Sequence, residues 1–384
     1  MNPDEPPTTP PPPRVLVVLP SWLGDTVMAT PTLRLLRGAL PRSTIVGLAR
    51  AGIDELLAGD DLLDDVILAD RTAVLGPAKV AGRLTKFRFD AALLLPNSFS
   101  SAITVRLAGI PIRVGYDRDG RGALLTHKLQ APRRAPPHDG WAPISAVEYY
   151  LAAGRACLSA LGAPTPGSLI AAPKLELGIT ESQDRQAREI LAAAGVPEGQ
   201  PFALLNPGGN NPAKRWPVER FAAVAHHLIA QHGMMAVING SPTEAELVAL
   251  IRDVIVLDNP ADAPRVACLP ELGGTIGSLK GIVKRCRLMV TNDTGPRHVA
   301  AAFGRPCVTL FGPTDPRWTA LPEADVDAGN ARRVPREVIL VADPTLPTEE
   351  IADDHPRRCR IELIETRAVI EAVDGVMSQS PGFG

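Results

Sequence analysis

The sequence predicts an α/β protein with two Rossmann-like domains, each built on a parallel sheet, that face each other across a cleft. Its 384 residues suit two domains, because one domain usually holds roughly 100–200 residues. Short runs of Val, Ile and Leu alternate with helical segments, and these runs are apolar throughout, as in parallel sheets covered on both faces. The alternation pauses in a Pro- and Gly-rich stretch at residues 163–178 and then restarts, which indicates two successive βαβ series.

The same patterns divide the chain into four segments. Residues 1–13 contain seven prolines and are expected to form a disordered tail. Residues 14–172 are expected to form the first domain and residues 173–360 the second. Residues 361–384 are expected to carry a final helix and tail.

The first domain alternates predicted strands with predicted helices. The strands are Arg14–Leu19, Thr44–Ala49, Val66–Ala69 and Ala91–Leu95. The helices are Thr32–Leu40, Ser98–Gly109 and Ser145–Leu161. Ligands of such sheets bind beyond the carboxyl ends of the strands, so the loops that follow the strands are the candidate site.

The second domain repeats this pattern. The predicted strands are Phe202–Asn206, Met235–Asn239, Leu288–Thr291 and Cys307–Phe311. The predicted helices are Pro217–Gln231, Thr243–Arg252, Gly295–Phe303 and Thr366–Val376. Pro217 suits the first position of its helix, and Thr243 with Glu246 has the spacing of a capping box.

Composition excludes several classes of protein. No apolar stretch approaches the roughly 18 residues of a membrane-spanning helix, and the N-terminus lacks the basic and apolar regions of a signal peptide. No basic run is interleaved with aromatic residues, so nucleic acid is not an expected partner. Five cysteines without close pairing indicate buried thiols in a reducing compartment. A cytoplasmic location is therefore expected.

Charge is distributed unevenly along the chain. Residues 14–173 hold 18 Lys and Arg against 13 Asp and Glu, whereas residues 174–384 hold 22 against 27. A basic first domain suits an anionic partner, although ordinary surface variation explains the difference equally well.

The first candidate motif is Pro20–Asp25, directly after the first strand. Gly24 permits a tight turn, and Asp25 lies near the carboxyl end of the strand, where it is a candidate general base. A second interpretation makes Asp25 the N-cap of the next helix, a position where Asp is common.

The second candidate motif is Asn206–Pro217, between a strand and a helix. Gly208 and Gly209 allow backbone amides to approach an anion, and Lys214 and Arg215 add positive charge near a helix N-terminus. The pattern favours a loop that binds a diphosphate, and a turn with two solvated basic residues is the alternative.

The third candidate motif is Thr291–His298, which also joins a strand to a helix. Thr294 and Gly295 place amides at the start of that helix, where the dipole favours phosphate. Asp293 is either a site residue or a helix cap. His298 is either a ligand contact or a buried, hydrogen-bonded histidine.

Two Asp-x-Asp triplets, Asp117–Asp119 and Asp325–Asp327, have the form of a metal-binding motif. Neither follows an apolar strand in a nucleotide-binding context, and short acidic pairs in turns are usually solvated. The sequence therefore predicts no metal site.

In order and spacing, these loops resemble those of the ADP-heptose–lipopolysaccharide heptosyltransferases, glycosyltransferase family 9, which adopt the GT-B fold. The resemblance is greatest to the heptosyltransferase II subfamily and runs from about residue 14 to about residue 375. The shared motifs are Pro20–Asp25, Leu95–Phe99, Ala108–Gly115, Pro212–Pro217, Thr291–Gly295 and Phe311–Thr314.

The resemblance implies a role for several residues. Asp25 corresponds to the catalytic base, and Lys214 to the lysine that contacts the donor diphosphate. The other donor-binding residues that it implies are Gly208, Gly209, Asp293, Thr294, Gly295 and His298.

Further roles follow from the same resemblance. A glutamate near the donor ribose is expected after the Gly240-Ser241 turn, where Glu244 and Glu246 both fit. The acceptor-side residues that it implies are Asn97, Ser98, Ser101 and Arg113. One departure from the family pattern is Pro296-Arg297 in place of a hydrophobic residue, so Arg297 is expected to add a charge beside the donor loop.

The function implied is an inverting, metal-independent transfer of heptose from ADP-heptose to a lipopolysaccharide inner-core acceptor, without a cofactor. The acceptor is an anionic glycolipid, so a peripheral contact with the cytoplasmic face of the inner membrane is a further expectation. One alternative is a family member that uses another nucleotide sugar or acceptor. Another is a non-catalytic nucleotide- or carbohydrate-binding homologue. A Rossmann oxidoreductase is disfavoured because the chain lacks the dinucleotide fingerprint.

Overall fold

The computed structural model of the chain describes residues 11–69, 76–167, 172–322 and 337–379. The first sheet contains the strands β1 (Arg14–Val18), β2 (Thr44–Ala49), β3 (Asp65–Leu68), β4 (Ala91–Leu94), β5 (Ile112–Tyr116) and β6 (His127–Leu129). The helices in this half are α1 (Leu23–Met28), α2 (Thr30–Ala39), α3 (Ile53–Leu57), α4 (Gly76–Leu84), α5 (Phe99–Leu107) and α6 (Ala146–Ala160).

The second half repeats this organisation. Its sheet contains β7 (Phe202–Asn206), β8 (Met235–Ile238), β9 (Val266–Cys268), β10 (Leu288–Asn292), β11 (Cys307–Phe311) and β12 (Glu337–Val341). Its helices are α7 (Glu181–Ala193), α8 (Val218–His232), α9 (Ala245–Asp258), α10 (Ile276–Arg285), α11 (Gly295–Ala302) and α12 (Thr366–Gln379).

Both sheets are parallel throughout and have the same topology. The strand orders are β3-β2-β1-β4-β5-β6 and β12-β11-β10-β7-β8-β9, which are the same Rossmann order written in opposite directions. The order reverses between β1 and β4 in one sheet and between β7 and β10 in the other. Ligands of open parallel sheets bind at this reversal, and three of these four strands lead directly into the candidate motifs. The predicted fold class is therefore confirmed.

The strands at the reversal are apolar because both of their faces are covered. Val15, Leu16, Val17 and Val18 of β1 are completely buried. Leu16 and Val18 belong to an apolar cluster confined to the first half of the chain, whereas Val15 and Val17 belong to a cluster that continues into the second half. The two halves thus share a continuous apolar core on one side of the sheets.

A buried lysine joins the two halves beside this core. Lys280 of α10 is completely buried, and its Nζ donates hydrogen bonds to the carbonyls of Leu56 (3.0 Å) and Ala58 (2.7 Å) at the end of α3. The carboxylate of Glu55 accepts a hydrogen bond from the amide of Gly277 at 3.0 Å. Burial lowers the pKa of Lys280 to about 8. These bonds fix α3 of one domain against α10 of the other.

Two local predictions about helix starts are wrong. Pro217 is the N-cap of α8 rather than its first helical residue. The capping box before α9 consists of Ser241 and Glu244, not Thr243 and Glu246, because a short 3₁₀ turn precedes the helix. Both errors displace a helix boundary by one or two residues, as is usual at helix ends.

Several elements have no counterpart among the predictions. They are the strands β5, β6, β9 and β12 and the helices α1, α3, α4, α7 and α10. Residues 1–10, the triplet Asp325–Asp327 and residues 380–384 lie outside the described residues, and the boundary between residues 172 and 173 stays a prediction. Among the described residues, no helix is both long enough and apolar enough to cross a bilayer.

Candidate active site

α1 places Asp25 at the carboxyl edge of the first sheet. β1 ends at Val18, and α1 begins at Leu23. The N-cap position belongs to Trp22, whose side chain makes no capping hydrogen bond. The interpretation of Asp25 as an N-cap is therefore wrong, because the helix begins at Leu23, three residues earlier than an N-cap at Asp25 requires. Asp25 lies inside the first turn, where the helix dipole stabilises a negative charge.

The carboxyl group of Asp25 has an environment that favours its protonated form. Burial raises its pKa above the ordinary range, and the nearby charge of Asp293 adds to this effect. A hydrogen bond from the Tyr150 hydroxyl to Oδ1 (3.3 Å) and the charge of Lys214 act in the opposite direction. A carboxylate with a raised pKa is a stronger base than a solvated one, which suits it to accept a proton.

Asp293 faces Asp25 from the second domain and is held as a carboxylate. Its Oδ2 accepts hydrogen bonds from Lys214 Nζ at 2.9 Å and from the Thr314 hydroxyl at 3.0 Å. Burial alone would raise the pKa of Asp293, but the charges of Lys214 and Arg297 hold it below its ordinary value. The alternative interpretation of Asp293 as a helix cap is wrong, because the N-cap of α11 is the next residue.

The loop after β7 that contains Gly208 and Gly209, here called the glycine loop, is bound by the carboxylate of Glu244. Glu244 Oε1 accepts a hydrogen bond from the amide of Gly209 at 2.8 Å, and Oε2 accepts one from the amide of Ser241 at 2.8 Å. These bonds lower the pKa of Glu244 although burial opposes them. A Cβ at Gly208 would lie 2.2 Å from Oε1, so only glycine permits this close approach. Glu246 is exposed in the first turn of α9.

The amides at the start of α11 lie beside this loop. The N-cap residue Thr294 has an extended backbone, and its hydroxyl accepts a hydrogen bond from Asn206 Nδ2 at 2.9 Å. Asn206 is in turn bonded by Asn239 Nδ2 at 2.7 Å. Thr294 and Gly295 thus start a helix whose free N–H groups and dipole attract a negative charge.

His298 connects the donor-side helix to the first domain. Its ring packs on Gly24, where a Cβ would lie 2.5 Å from Cδ2 of the imidazole. Burial, with the charge of Arg297, lowers the pKa of His298 to about 3, so the ring is neutral. The alternative prediction of a buried, hydrogen-bonded histidine is right about burial. It is not right about hydrogen bonding at Nδ1, which has no hydrogen-bond partner among the described residues.

Arg297 adds a positive charge beside Asp293, as expected from the sequence, but this charge is buried and paired rather than free. The side chain is completely buried, and its guanidinium binds both carboxylate oxygens of Glu337 and the hydroxyl of Thr319. Glu337 lies on β12, which was missed in the sequence, so its pairing with Arg297 could not be anticipated. The guanidinium also lies 3.7 Å from Asp293 Oδ1, and its charge helps to keep that carboxylate ionised.

The acceptor-side residues separate into two groups. The side chain of Asn97 follows β4, and its Oδ1 accepts hydrogen bonds from the Tyr149 hydroxyl (3.0 Å) and from Arg121 Nη2 (3.3 Å). Ser98 is the N-cap of α5 and accepts a hydrogen bond from the amide of Ser101. Their hydroxyls therefore help to form the start of this helix.

Arg113 lies apart from that group. It is the second residue of β5, near the amino end of the strand, whereas the site lies at the carboxyl ends. Its guanidinium donates to the backbone carbonyls of Leu124 (2.7 Å) and Ile110 (2.6 Å). The structure therefore does not bring Arg113 to Asn97.

Two residues of the site, Tyr150 and Arg121, were missed in the sequence, whereas Thr314 was marked only as the last residue of the shared motif Phe311–Thr314. Tyr150 is one of a Tyr-Tyr pair in a chain with only three tyrosines, and this clustering is the one pattern that could have drawn notice. Arg121 is completely buried, and burial lowers its pKa to about 10. Its neighbours Pro96 and Asn97 are distant in sequence, so no local pattern marks it.

Within the described part of the chain, the group of side chains that could hold a metal ion lies outside these loops. Asp117–Asp119 lies in the turn after β5. The group that could hold a metal ion consists of His227 and His232 on α8 and Asp374 on α12. Their ligand atoms all lie within 4.8 Å of one another.

Two solved structures share the architecture of the chain. The structure of Escherichia coli ADP-heptose lipopolysaccharide heptosyltransferase II superposes with a TM-score of 0.73 at 25% identity, over 95% of this chain and 99% of that chain. A family 9 glycosyltransferase from Veillonella parvula DSM 2008 superposes with a TM-score of 0.74 at 21% identity, over 96% and 98%. The chain therefore has the GT-B fold of these glycosyltransferases.

Sequence comparison identifies the family. Residues 78–333 match the family model of glycosyltransferase family 9 (heptosyltransferase). Lipopolysaccharide heptosyltransferase 2 of Escherichia coli strain K12 is 30% identical over 311 residues, which are 80% of this chain and 84% of that protein. The chain belongs to glycosyltransferase family 9.

Proposed function

We propose that the chain transfers heptose from ADP-heptose to a lipopolysaccharide inner-core acceptor, as the names of its relatives state for them. Two observations support this proposal. The chain and the E. coli heptosyltransferase 2 match over most of both lengths. The carboxyl ends of β1, β7 and β10 bring together a base candidate and cationic and amide groups suited to a diphosphate.

The reaction proposed is a single displacement with inversion. Asp25 accepts the proton of an acceptor hydroxyl, and the resulting oxygen attacks the anomeric carbon of the heptose. A new glycosidic C–O bond forms as the bond from that carbon to the ADP oxygen breaks, and ADP leaves with the electron pair. The raised pKa of Asp25 supports this role, because it makes the carboxylate a better proton acceptor at neutral pH.

The second domain is proposed to stabilise the leaving ADP. Lys214 lies half-buried with its ammonium group on Asp293, and the start of α11 offers amides at Thr294 and Gly295. Positive charge aimed at the developing diphosphate charge needs no reorganisation during the reaction, and such preorganised groups are a large source of rate enhancement. No metal ion and no cofactor enters this scheme.

Glu244 rather than Glu246 is proposed as the glutamate of the donor side. Its carboxylate joins the glycine loop, through the Gly209 amide, to its own turn, through the Ser241 amide, while Glu246 is exposed on α9. Asn97 and Ser98 are proposed to face the acceptor, since they follow β4 beside β1, whereas Ser101 is completely buried and helps to form the start of α5. An anionic acceptor suits the basic first half of the chain and a place on the cytoplasmic face of the inner membrane.

The observation that carries the proposal is that Gly24, next to Asp25, packs on Gly295 and His298 of α11. This contact places Asp25 within the electrostatic influence of Lys214 and Asp293 in the second domain. The test is an incubation of the protein with ADP-heptose and a heptose-deficient inner-core acceptor. The expected result is a gain of one heptose in the acceptor mass, release of ADP, an inverted anomeric configuration by NMR, and unchanged turnover after exhaustive chelation.

Parallel arms of this experiment separate the alternatives. If sugar is transferred from another nucleotide sugar and not from ADP-heptose, the proposed donor is wrong and that nucleotide sugar is the donor. ADP binding without transfer to any inner-core acceptor would indicate a non-catalytic homologue. Turnover that is lost on chelation and restored by magnesium would contradict the metal-independent scheme.

A further inference from the structure

Three side chains meet on the surface of the second domain, away from the candidate active site. His227 and His232 lie in the last turns of α8, and Asp374 lies on the neighbouring helix α12. Their Nε2 atoms lie 2.6 Å and 2.7 Å from the same atom, Oδ1 of Asp374. The two imidazole rings also contact each other edge to face, with centroids 5.5 Å apart.

This arrangement has the composition of a metal site. Two imidazole nitrogens and one carboxylate oxygen are the protein ligands of many open tetrahedral zinc sites. All three ligand atoms lie within 4.8 Å of one another. Ligand atoms of a tetrahedral zinc ion are about 3.3 Å apart, given metal–ligand distances of about 2.0–2.1 Å. The two N···O distances of 2.6 Å and 2.7 Å must therefore open by about 0.6–0.7 Å, which a rotation of the half-exposed Asp374 side chain can provide.

The ligand types select the class of ion. One carboxylate cannot supply the six to eight oxygen ligands of calcium, and magnesium is also bound through oxygen. Imidazole nitrogen suits zinc and other divalent first-row transition metals. The groove above the cluster is lined by Gln231, Met377 and Ser378, so the fourth position is accessible to a water molecule.

The cluster is also far from the proposed chemistry. α8 begins at Val218, just after the loop of Lys214, and ends at His232. At 1.5 Å per residue these ends of α8 are about 21 Å apart. An ion at this end of the helix would join α12 to α8 and would not touch a donor in the cleft.

We propose that His227, His232 and Asp374 form an open, three-ligand binding site for a divalent transition metal such as zinc, which fastens α12 to α8. Three potential ligand atoms come together in this cluster. Another histidine of the same helix that lies near aspartates does not belong to it. The adjacent His226 turns to the other side of α8, where its Nδ1 lies 2.6 Å from Asp262 and its Nε2 lies 4.0 Å from Asp258. His226 therefore provides a matched control.

The test is a titration of the metal-free protein, carrying no affinity tag, with zinc chloride by calorimetry. The expected result is one zinc ion per chain. His232→Ala and Asp374→Ala should each weaken binding by at least about tenfold, since even changes outside the ligand set cost 10–100-fold. His226→Ala should keep the affinity and stoichiometry of the parent. Cobalt chloride should give the visible absorption of a tetrahedral site in the parent and lose it in His232→Ala.

Thermal unfolding provides a second measurement. Zinc at about 100 times its Kd should raise the Tm of the parent by about 5 °C, and should leave the Tm of the double variant His227→Ala/His232→Ala unchanged. Far-ultraviolet circular dichroism of the metal-free variants shows whether they fold. If the folded double variant binds zinc with the affinity of the parent, or if the parent does not bind it at 100 µM (about −5.5 kcal/mol), the proposal is overturned.

Discussion

Two aspartates face each other across the candidate site, and their environments have opposite effects on them. Asp25, after β1, accepts one hydrogen bond at 3.3 Å, and burial raises its pKa. Asp293, after β10, accepts two hydrogen bonds and lies beside two cationic side chains, which hold its pKa down. Paired acids whose pKa values are driven apart commonly divide the work of a site. Asp25 is thus placed to exchange a proton, and Asp293 to stay charged and hold Lys214.

The largest expected effect is that of Asp25→Asn. General-base catalysis contributes typically about 10²–10⁴-fold, so kcat should fall by at least about 10²-fold. Asn keeps the size of the side chain, and Asp25 is not the helix cap. ADP affinity by calorimetry and the Tm should therefore stay close to those of the parent. Turnover at the parental rate would remove Asp25 from the mechanism.

Lys214→Ala should act on the donor instead. A charge-assisted hydrogen bond contributes about 1.5–3 kcal/mol, which is about 10–150-fold in kcat/KM for the donor. Arg215→Ala is the matched control, because Arg215 donates to the carbonyl of Gly209 at 2.9 Å and is not aligned with Asp293. Steady-state kinetics with varied donor measures both variants. A larger loss in Arg215→Ala than in Lys214→Ala would show that Arg215, and not Lys214, is the main contact of the diphosphate.

Glu244→Ala and Glu246→Ala form a second matched pair. Loss of Glu244 removes the hydrogen bond from the Gly209 amide of the glycine loop and the one from the Ser241 amide of its own turn, and we expect about a tenfold fall in donor kcat/KM, or about 1.4 kcal/mol. Glu246→Ala should have no measurable effect, since that side chain is exposed. Equal effects in the two variants would show that the loop does not depend on Glu244.

Tyr150→Phe should have the smallest effect on rate but a specific one on pH dependence. The Tyr150 hydrogen bond lowers the pKa of Asp25, so its removal raises that pKa further. A base must be ionised to work, so the acidic limb of kcat should move to higher pH in the variant. At neutral pH kcat should change by about two- to tenfold, as for one ordinary hydrogen bond. An acidic limb at the parental pH would exclude Tyr150 as a positioning residue for Asp25.

The sequence predicted the framework because the framework depends on local patterns. β1, β7, β10 and β11 are mainly apolar runs, and their predicted bounds agree with the structure to within one residue. The missed strands β6 and β9 have three residues each, too few to show a period. β12 lies at a sheet edge, and its residues 338–341 are all apolar, so this strand had a visible pattern that the sequence analysis overlooked.

The site was predicted only in part, since its side chains are partnered across long distances in the chain. The motif order placed Asp25, Lys214 and Asp293 on loops at the same edge, as parallel sheets require. Tyr150 lies 125 residues after Asp25, and no spacing rule connects them. The pairing of Arg297 with Glu337 depended on an edge strand that was not recognised.

The most direct test of the division between the two aspartates is the pH dependence of kcat in the parent and in Asp25→Asn, with both substrates saturating. In the parent, kcat should fall tenfold per pH unit below the pKa of Asp25, which is raised by burial, because only the ionised carboxylate accepts the proton. The residual rate of Asp25→Asn should lack this acidic limb. An acidic limb of the same midpoint in the Asn variant would show that another group takes the proton, and would contradict the assignment of Asp25 as the base.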